Sequence, residues 1–154
     1  MSSFDVVIIG SGPGGYVSAI RCAQLGFKTA IVEKYNALGG TCLNVGCIPT
    51  KTLLYSSKLY YNAVNSSKYG VKAEGVQFEY DKIVARKNKV VRKLIAGIKA
   101  KMTNNNVTVV NGAATVVENA NGIVTIACGE EQYQAEKLLI CTGSQVAIPP
   151  IPGV

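Results

Sequence analysis

An α/β fold is predicted, a parallel sheet carrying an antiparallel three-stranded β-meander, and three observations predict it. Residues 5–9, DVVII, form an apolar run ended by glycine. A helical pattern follows over residues 16–25, closed by Gly26, and a second apolar run occupies Thr29–Glu33. Strand, helix and strand within roughly 30 residues make a βαβ unit. Two further stretches of helical pattern, 50–64 and 81–102, are the second observation. The third is a change of pattern over residues 113–134, where ATVVE, GIVTIA and EQYQA are separated by NANG and CGEE, both sequences suited to tight turns.

Each element has its own signal. The run at 5–9 is too short for a helix and too uniformly apolar for an exposed strand, so it reads as a buried strand. Over 81–102, Ile83, Val84, Val90, Val91, Leu94, Ile98 and Met102 recur at helical spacing, which predicts one apolar stripe. Between the helices, Asn65, Ser66, Ser67 and Gly70 mark a turn region. Residues 107–110 read as a returning strand and 138–141 as another buried one. No internal repeat or low-complexity linker interrupts the 154 residues, which are enough for one domain with a hydrophobic core.

Composition narrows the chemistry. Hydrophobic residues are 48% of the chain, but no apolar run reaches the ~20 residues a membrane span needs, and a strand-like segment begins at Phe4. A cytoplasmic location is expected, with no membrane partner. The five cysteines are an odd number, which argues against a disulfide framework. There is no histidine, so the usual general acid and base and the commonest zinc ligand are missing. Net charge is +7, yet half of the 16 Lys and Arg residues lie between Lys82 and Lys101. Without aromatic interleaving this reads as a solvated helix face, and no nucleic-acid partner is expected.

GSGPGG places Gly10, Gly12 and Gly15 in the G-x-G-x-x-G register between the first strand and the first helix. In that position the first glycine permits the turn, the second lets the main chain approach a pyrophosphate, and the third lets helix and strand pack closely. The helix N-terminus adds amide donors and partial positive charge. Glu33 ends the second strand, 23 positions after Gly10, where an acid can accept from a ribose hydroxyl and disfavour a 2′-phosphate. Dinucleotide binding follows, with FAD and NAD not separated by this motif alone.

GGTCLNVGCIPTK, residues 39–51, sets Cys42 and Cys47 five positions apart. A regular helix would hold those Cα atoms about 8–9 Å apart and rotated by ~140°, outside disulfide reach. Any bond between them therefore requires a distorted helix, and Asn44, Gly46 and Pro49 are residues that distort one. A zinc site would lack further ligands, so no metal is expected. A structural crosslink over so short a loop would add little stability. A redox pair beside a dinucleotide remains the leading alternative.

Together with GSGPGGYVSAIRCAQLGFKTAIVEK, this thiol segment resembles the FAD-dependent pyridine nucleotide disulfide reductases, from Phe4 to the end of the chain. The PGGY at Pro13, Gly14, Gly15 and Tyr16 and the IPTK ending at Lys51 are more similar to the members that act on dihydrolipoamide than to glutathione or mercuric reductases. The resemblance implies a Rossmann-like FAD-binding domain with a redox-active disulfide. It makes Cys42 the thiol that exchanges with substrate, Cys47 the thiol nearer the flavin, and Lys51 the positive charge beside the flavin. Glu33 and Lys34 correspond to the adenosine ribose region. Gly40 and Thr41 correspond to the pyrophosphate and flavin approach and Ala114 to a backbone contact near the adenine, with Gly39 and Gly112 also among the cofactor-binding residues. CTGS brings Thr142, Gly143 and Ser144 to the flavin-domain strand end, with Cys141 where alanine is usual. Cys141, like Cys22 and Cys128, is expected to be a small buried residue.

The resemblance also sets expectations beyond the residues present. Residues 1–154 correspond to the first segment of the FAD-binding domain, ending on IPPIPGV. The family's NAD-binding domain, its later FAD segment and its dimer-interface domain have no counterpart in this sequence. The chain is thus expected to be part of a longer polypeptide and unable to turn over dihydrolipoamide alone. The full-length parent would be a homodimer using NAD. Its partner would be lipoamide or dihydrolipoamide carried on 2-oxoacid dehydrogenase complexes or the glycine cleavage system.

Overall fold

The structure, a computed structural model, describes residues 1–153. In chain order it runs β1 (Ser2–Ile9), α1 (Pro13–Gln24), β2 (Thr29–Glu33), α2 (Gly40–Asn44), α3 (Cys47–Val64), a 3-10 turn (Ser66–Tyr69), α4 (Tyr80–Asn104), β3 (Thr108–Asn111), β4 (Ala114–Ala120), β5 (Ile123–Cys128) and β6 (Glu131–Ile140). One sheet holds all the strands in the order β3-β2-β1-β6-β5-β4. β3, β2, β1 and β6 are parallel, and β6, β5 and β4 are antiparallel.

The predicted α/β class and the meander are therefore present, with one correction. EQYQA and the run at 138–141 are not separate strands but the two ends of β6. Its first half pairs with β5 on one edge, while on the other it pairs with β1 from Ser2 opposite Tyr133 to Ile9 opposite Ile140. The polar pair Glu136 and Lys137 had masked the continuity. Both side chains are exposed there, and the backbone ladder does not depend on their polarity. The meander is thus an extension of the parallel sheet through a shared strand. β4 and β5 meet in a two-residue loop, Asn121-Gly122, with both residues at positive φ (53° and 78°), the hairpin turn that the NG pair favours.

Two apolar clusters sandwich the sheet. Phe4, Val7, Ala30, Val32, Ile126, Tyr133 and Ala135 pack on one face. Val6, Ile8, Ala19, Ile31, Leu38, Met102 and Val107 pack on the other, against α1 and the end of α4. All five residues of β2 are buried, as a central parallel strand requires. α4 departs from expectation along its length. Only Met102 of the predicted stripe is buried, and Leu94 is 42% exposed, because only the last part of α4 reaches the sheet. Its earlier turns pair with α3, where Arg86 donates to the Thr52 carbonyl at 3.3 Å and lies over the Tyr55 ring.

Candidate functional site

The carboxyl ends of the parallel strands meet at one place, the location where open α/β sheets bind ligands. The Gly10 amide donates to the Val32 carbonyl, the Cys141 amide to Ile9, and the Gly112 amide to Glu33, each at 2.8 Å. These bonds draw the loops after β1, β2, β3 and β6 together around a cleft of about 640 Å³, within the range typical of cofactor sites.

Within the loop between β1 and α1 the three glycines differ in what surrounds them. Gly10 has φ +96°, and a Cβ there would strike the carbonyl of Cys141. Gly15 lies in the first turn of α1, and a Cβ there would fall on the carbonyl oxygen of Gly10, so only glycine lets α1 start this close to β1. Gly12 differs. Its φ of −63° suits any residue, and a Cβ would meet no protein atom within 4 Å. Nothing in the fold demands glycine at that position, and the open space in front of it lies on the cleft side. Gly12 is also the N-cap of α1, with no side-chain cap, no acid in the first turn and Pro13 following. The first amides of α1 are therefore left to an anion in the cleft. A dinucleotide pyrophosphate fits this arrangement.

Glu33 is 5% exposed and lines the cleft. Its carboxylate already has protein donors: the Ser11 amide (2.8 Å) and hydroxyl (2.6 Å) reach Oε2, and the Tyr35 amide reaches Oε1 (3.0 Å). Burial raises the carboxyl pKa, but these hydrogen bonds outweigh it and the net displacement is downward from the ordinary value, so the group is ionised. Each carboxylate oxygen has two lone pairs, which leaves Oε1 one acceptor position for a ribose hydroxyl. Sequence reasoning had given Glu33 the ribose alone and had passed over Ser11, the undistinguished x of G-x-G. Its signal was a hydroxyl between two glycines at a turn with no solvent to satisfy it.

The thiol segment reaches the same cleft through a broken helix. α2 ends at Asn44 and α3 begins at Cys47, with Val45 and Gly46 between them. Asn44 Nδ2 donates to the carbonyls of Leu38 and Gly40, and the Val45 and Gly46 amides both donate to Thr41, which closes α2 after a single turn. The distortion anticipated for the pair is thus a restart of the helix. α3 starts earlier than the predicted residue 50 because Pro49 sits in its first turn, where a missing N–H breaks no helical bond. α2 is anchored to the phosphate loop: Gly39 donates to the Ser11 carbonyl (3.0 Å) and hydroxyl (3.2 Å). Gly40, at φ +61°, lies so close to that loop that its Cβ would come 2.6 Å from Gly12 Cα.

Of the residues singled out in the sequence, Gly10, Gly12, Pro13, Glu33, Lys34, Gly40, Thr41, Cys42, Cys47, Gly112, Ala114, Thr142, Gly143 and Ser144 line the cleft. Gly14, Gly15 and Gly39 are not in the lining. Lys51 is not in the lining. It stands exposed on α3 four residues after Cys47, and its positive charge lowers the Cys42 thiol. Tyr35 and Cys141 line the cleft without having been foreseen there. Cys128 is buried as expected, but Cys22 and Cys141 are only half-buried, the latter because the chain leaves the sheet directly after its bond to Ile9.

Cys42 and Cys47 are free thiols in this structure. The neighbouring Cys47 side chain above all, then desolvation, raises the Cys42 thiol above its ordinary value, while the Cys47 backbone and the positive charge of Lys51 pull the other way. No group of three or more His, Cys, Asp or Glu residues placed to hold a metal occurs among the described residues. No helix among them is long and apolar enough to cross a membrane.

Comparison with known proteins agrees with this geometry. The family described as pyridine nucleotide-disulphide oxidoreductase matches residues 4–154. A dihydrolipoyl dehydrogenase of Acholeplasma laidlawii is 44% identical over 152 residues, covering 98% of this chain and 44% of that protein. The mitochondrial dihydrolipoyl dehydrogenase of Pisum sativum is 47% identical over 152 residues, covering 97% of this chain and 30% of its own. Among solved structures, the Cu(II) complex of the HOCl-induced flavoprotein disulfide reductase RclA from Escherichia coli superposes with a TM-score of 0.74 at 32% identity, over 99% of this chain and 31% of that one. The chain spans less than half the length of these relatives. With a glycine loop, a buried acid and a thiol pair in one cleft, and a family match over residues 4–154, the chain belongs to the pyridine nucleotide-disulphide oxidoreductase family.

Proposed function

We propose that this chain is the first segment of the FAD-binding domain of a dihydrolipoyl dehydrogenase, which oxidises dihydrolipoamide to lipoamide and reduces NAD+ to NADH. One observation carries the reading: Cys42 and Cys47 line the same cleft as the glycine loop and Glu33. Two relatives named dihydrolipoyl dehydrogenase, at 44 and 47% identity, support the choice of substrate. FAD, when bound, accepts an electron pair from a dithiol and delivers it as hydride to a nicotinamide.

The chain's own residues hold and orient. The amides at the start of α1 and Gly12 receive the pyrophosphate, Oε1 of Glu33 receives the ribose, and Lys34, Gly112 and Ala114 border the adenosine end. Gly40, Thr41, Thr142, Gly143 and Ser144 border the flavin end. In the oxidised pair, a dihydrolipoamide thiolate attacks the Cys42 sulfur, the Cys42–Cys47 bond breaks, and Cys47 leaves as thiolate. The second dihydrolipoamide thiol then displaces Cys42 from the mixed disulfide. Lipoamide gains an S–S bond, and the pair gains two electrons and one proton, which goes to Cys42 while Cys47 stays a thiolate; the proton lost when the first dihydrolipoamide thiol ionised is in solvent. Lys51 supplies positive charge beside the thiolate. The NAD site, the later FAD contacts and a homodimer interface belong, in this reading, to the parts of the longer relatives that the chain does not span. The partners are lipoyl groups of 2-oxoacid dehydrogenase complexes or the glycine cleavage system, in the cytoplasm.

The test is to expose the oxidised protein to dihydrolipoamide and count thiols by alkylation and mass. Two new alkylation sites, at Cys42 and Cys47, are expected, and none in Cys42→Ser. A pair that dithiothreitol reduces and dihydrolipoamide does not would contradict the reading. It would favour a second one, another flavin disulfide reductase, which the superposition on RclA supports.

A further inference from the structure

The Ser11 side chain, itself on the glycine loop, joins the end of β2 to the start of α2. It is fully buried, at 0% exposure. Its hydroxyl donates to Glu33 Oε2 (2.6 Å) at the end of β2 and accepts from the Gly39 amide (3.2 Å) at the start of α2. Its own backbone belongs to the phosphate loop, whose amide also donates to Glu33 (2.8 Å) and whose carbonyl accepts from Gly39 (3.0 Å). A serine hydroxyl has one donor and two acceptor positions, so its single proton is committed to Glu33.

We propose that Ser11 is a positioning residue for dinucleotide binding: its hydroxyl occupies Oε2 of Glu33, fixing the carboxylate so that Oε1 faces the ribose 2′-hydroxyl. This inference rests on the proposed reading of the cleft and adds to it a residue that touches no ligand itself. Glu33 without the Ser11 hydroxyl keeps two backbone donors, one on each oxygen. The carboxylate then loses its shortest bond and its orientation is held by the two backbone amides alone. Gly39 retains the Ser11 carbonyl, so docking of α2 survives the change. The effect is therefore directed at Glu33. A second consequence is a shift in titration, because the hydroxyl is among the donors that keep Glu33 ionised.

The experiment measures the affinity of the purified protein for FAD, ADP and 2′-deoxy-ADP, over pH, in wild type, Ser11→Ala, Ser11→Thr and Glu33→Gln. Wild type is expected to prefer ADP over the deoxy analogue by about tenfold, the discrimination a hydrogen bond to a charged acceptor gives. Ser11→Ala should bring that preference to about twofold or less, weaken FAD, and move the acid-side loss of FAD binding to higher pH; Ser11→Thr, which keeps a hydroxyl, should restore all three. Folded Ser11→Ala with wild-type preference and an unmoved pH profile overturns the role of Ser11 alone, provided Glu33→Gln loses the preference. A wild type without preference, unchanged by Glu33→Gln, overturns the ribose reading together with it. Should Ser11→Ala not fold, Ser11→Cys, which keeps the volume and replaces the hydroxyl by a weak donor, decides the matter by the same ratio.

Discussion

Replacing Gly12 with alanine separates what the fold needs from what the ligand needs. With φ −63° and ψ −179°, an alanine meets no backbone penalty, and its Cβ has no protein atom within 4 Å. Restricting the unfolded chain stabilises by about 0.4–1 kcal/mol, while alanine is a poorer N-cap than glycine by roughly 0.5–1.5 kcal/mol. The two nearly cancel, and stability should stay within about 1 kcal/mol of wild type in urea denaturation. The new methyl stands where the pyrophosphate approaches. Crowding by one methyl costs about 1–3 kcal/mol, which corresponds to roughly 5- to 150-fold weaker FAD binding by fluorescence titration. Gly15→Ala should behave oppositely. Its Cβ falls on a backbone oxygen that cannot give way, and a loss of stability of about 3 kcal/mol or more is expected. Unchanged FAD affinity in folded Gly12→Ala would refute the placement of the pyrophosphate.

Other perturbations follow from the same geometry. Glu33→Gln turns one accepting oxygen into a donor facing an amide or hydroxyl donor, and should cost about 2–4 kcal/mol by denaturant unfolding. Because the folded carboxyl titrates below its ordinary value of 4.5, the stability it gives is present above that pH and is lost as pH falls through the depressed folded value; the glutamine variant should lack this acid-side decline. Lys51→Ala removes a charge that lowers the Cys42 thiol, so iodoacetamide should modify Cys42 more slowly at pH 8, with a midpoint displaced upward. Arg86→Ala removes the Thr52 and Tyr55 contacts between α4 and α3 and should cost about 1 kcal/mol. Hydrogen exchange should quicken in those two helices and not in β1.

The βαβ unit and the glycine loop were legible in the sequence because their signals are local: apolar runs of strand length, a helix stopped by Gly26, and glycines at fixed register. The meander was legible through its turns. β6 was misread as two strands because Glu136 and Lys137 break the apolar pattern, whereas ladder bonding to β1 continues regardless of side-chain polarity. The helix restart between Asn44 and Cys47 was half legible: its breakers stood out, but Pro49 was counted among them when its place in a first turn makes it harmless. Ser11 and Tyr35 were invisible because their partners are 22 and 2 residues away at Glu33 and only the folded sheet brings the first of these together. Lys51 was placed by likeness to a family, and the structure sets it on α3 outside the cleft lining. Leu94 shows the limit of periodicity, which finds a stripe and does not say how much of it another element covers.

The central claim, that the thiol pair serves a flavin seated on the glycine loop, is tested most directly by the visible spectrum of the FAD-loaded protein after addition of dithiothreitol. A new long-wavelength absorption from a thiolate against the flavin is predicted in wild type, and its loss in Cys47→Ser. Bound FAD whose spectrum ignores the reduction of Cys42 and Cys47 would contradict it.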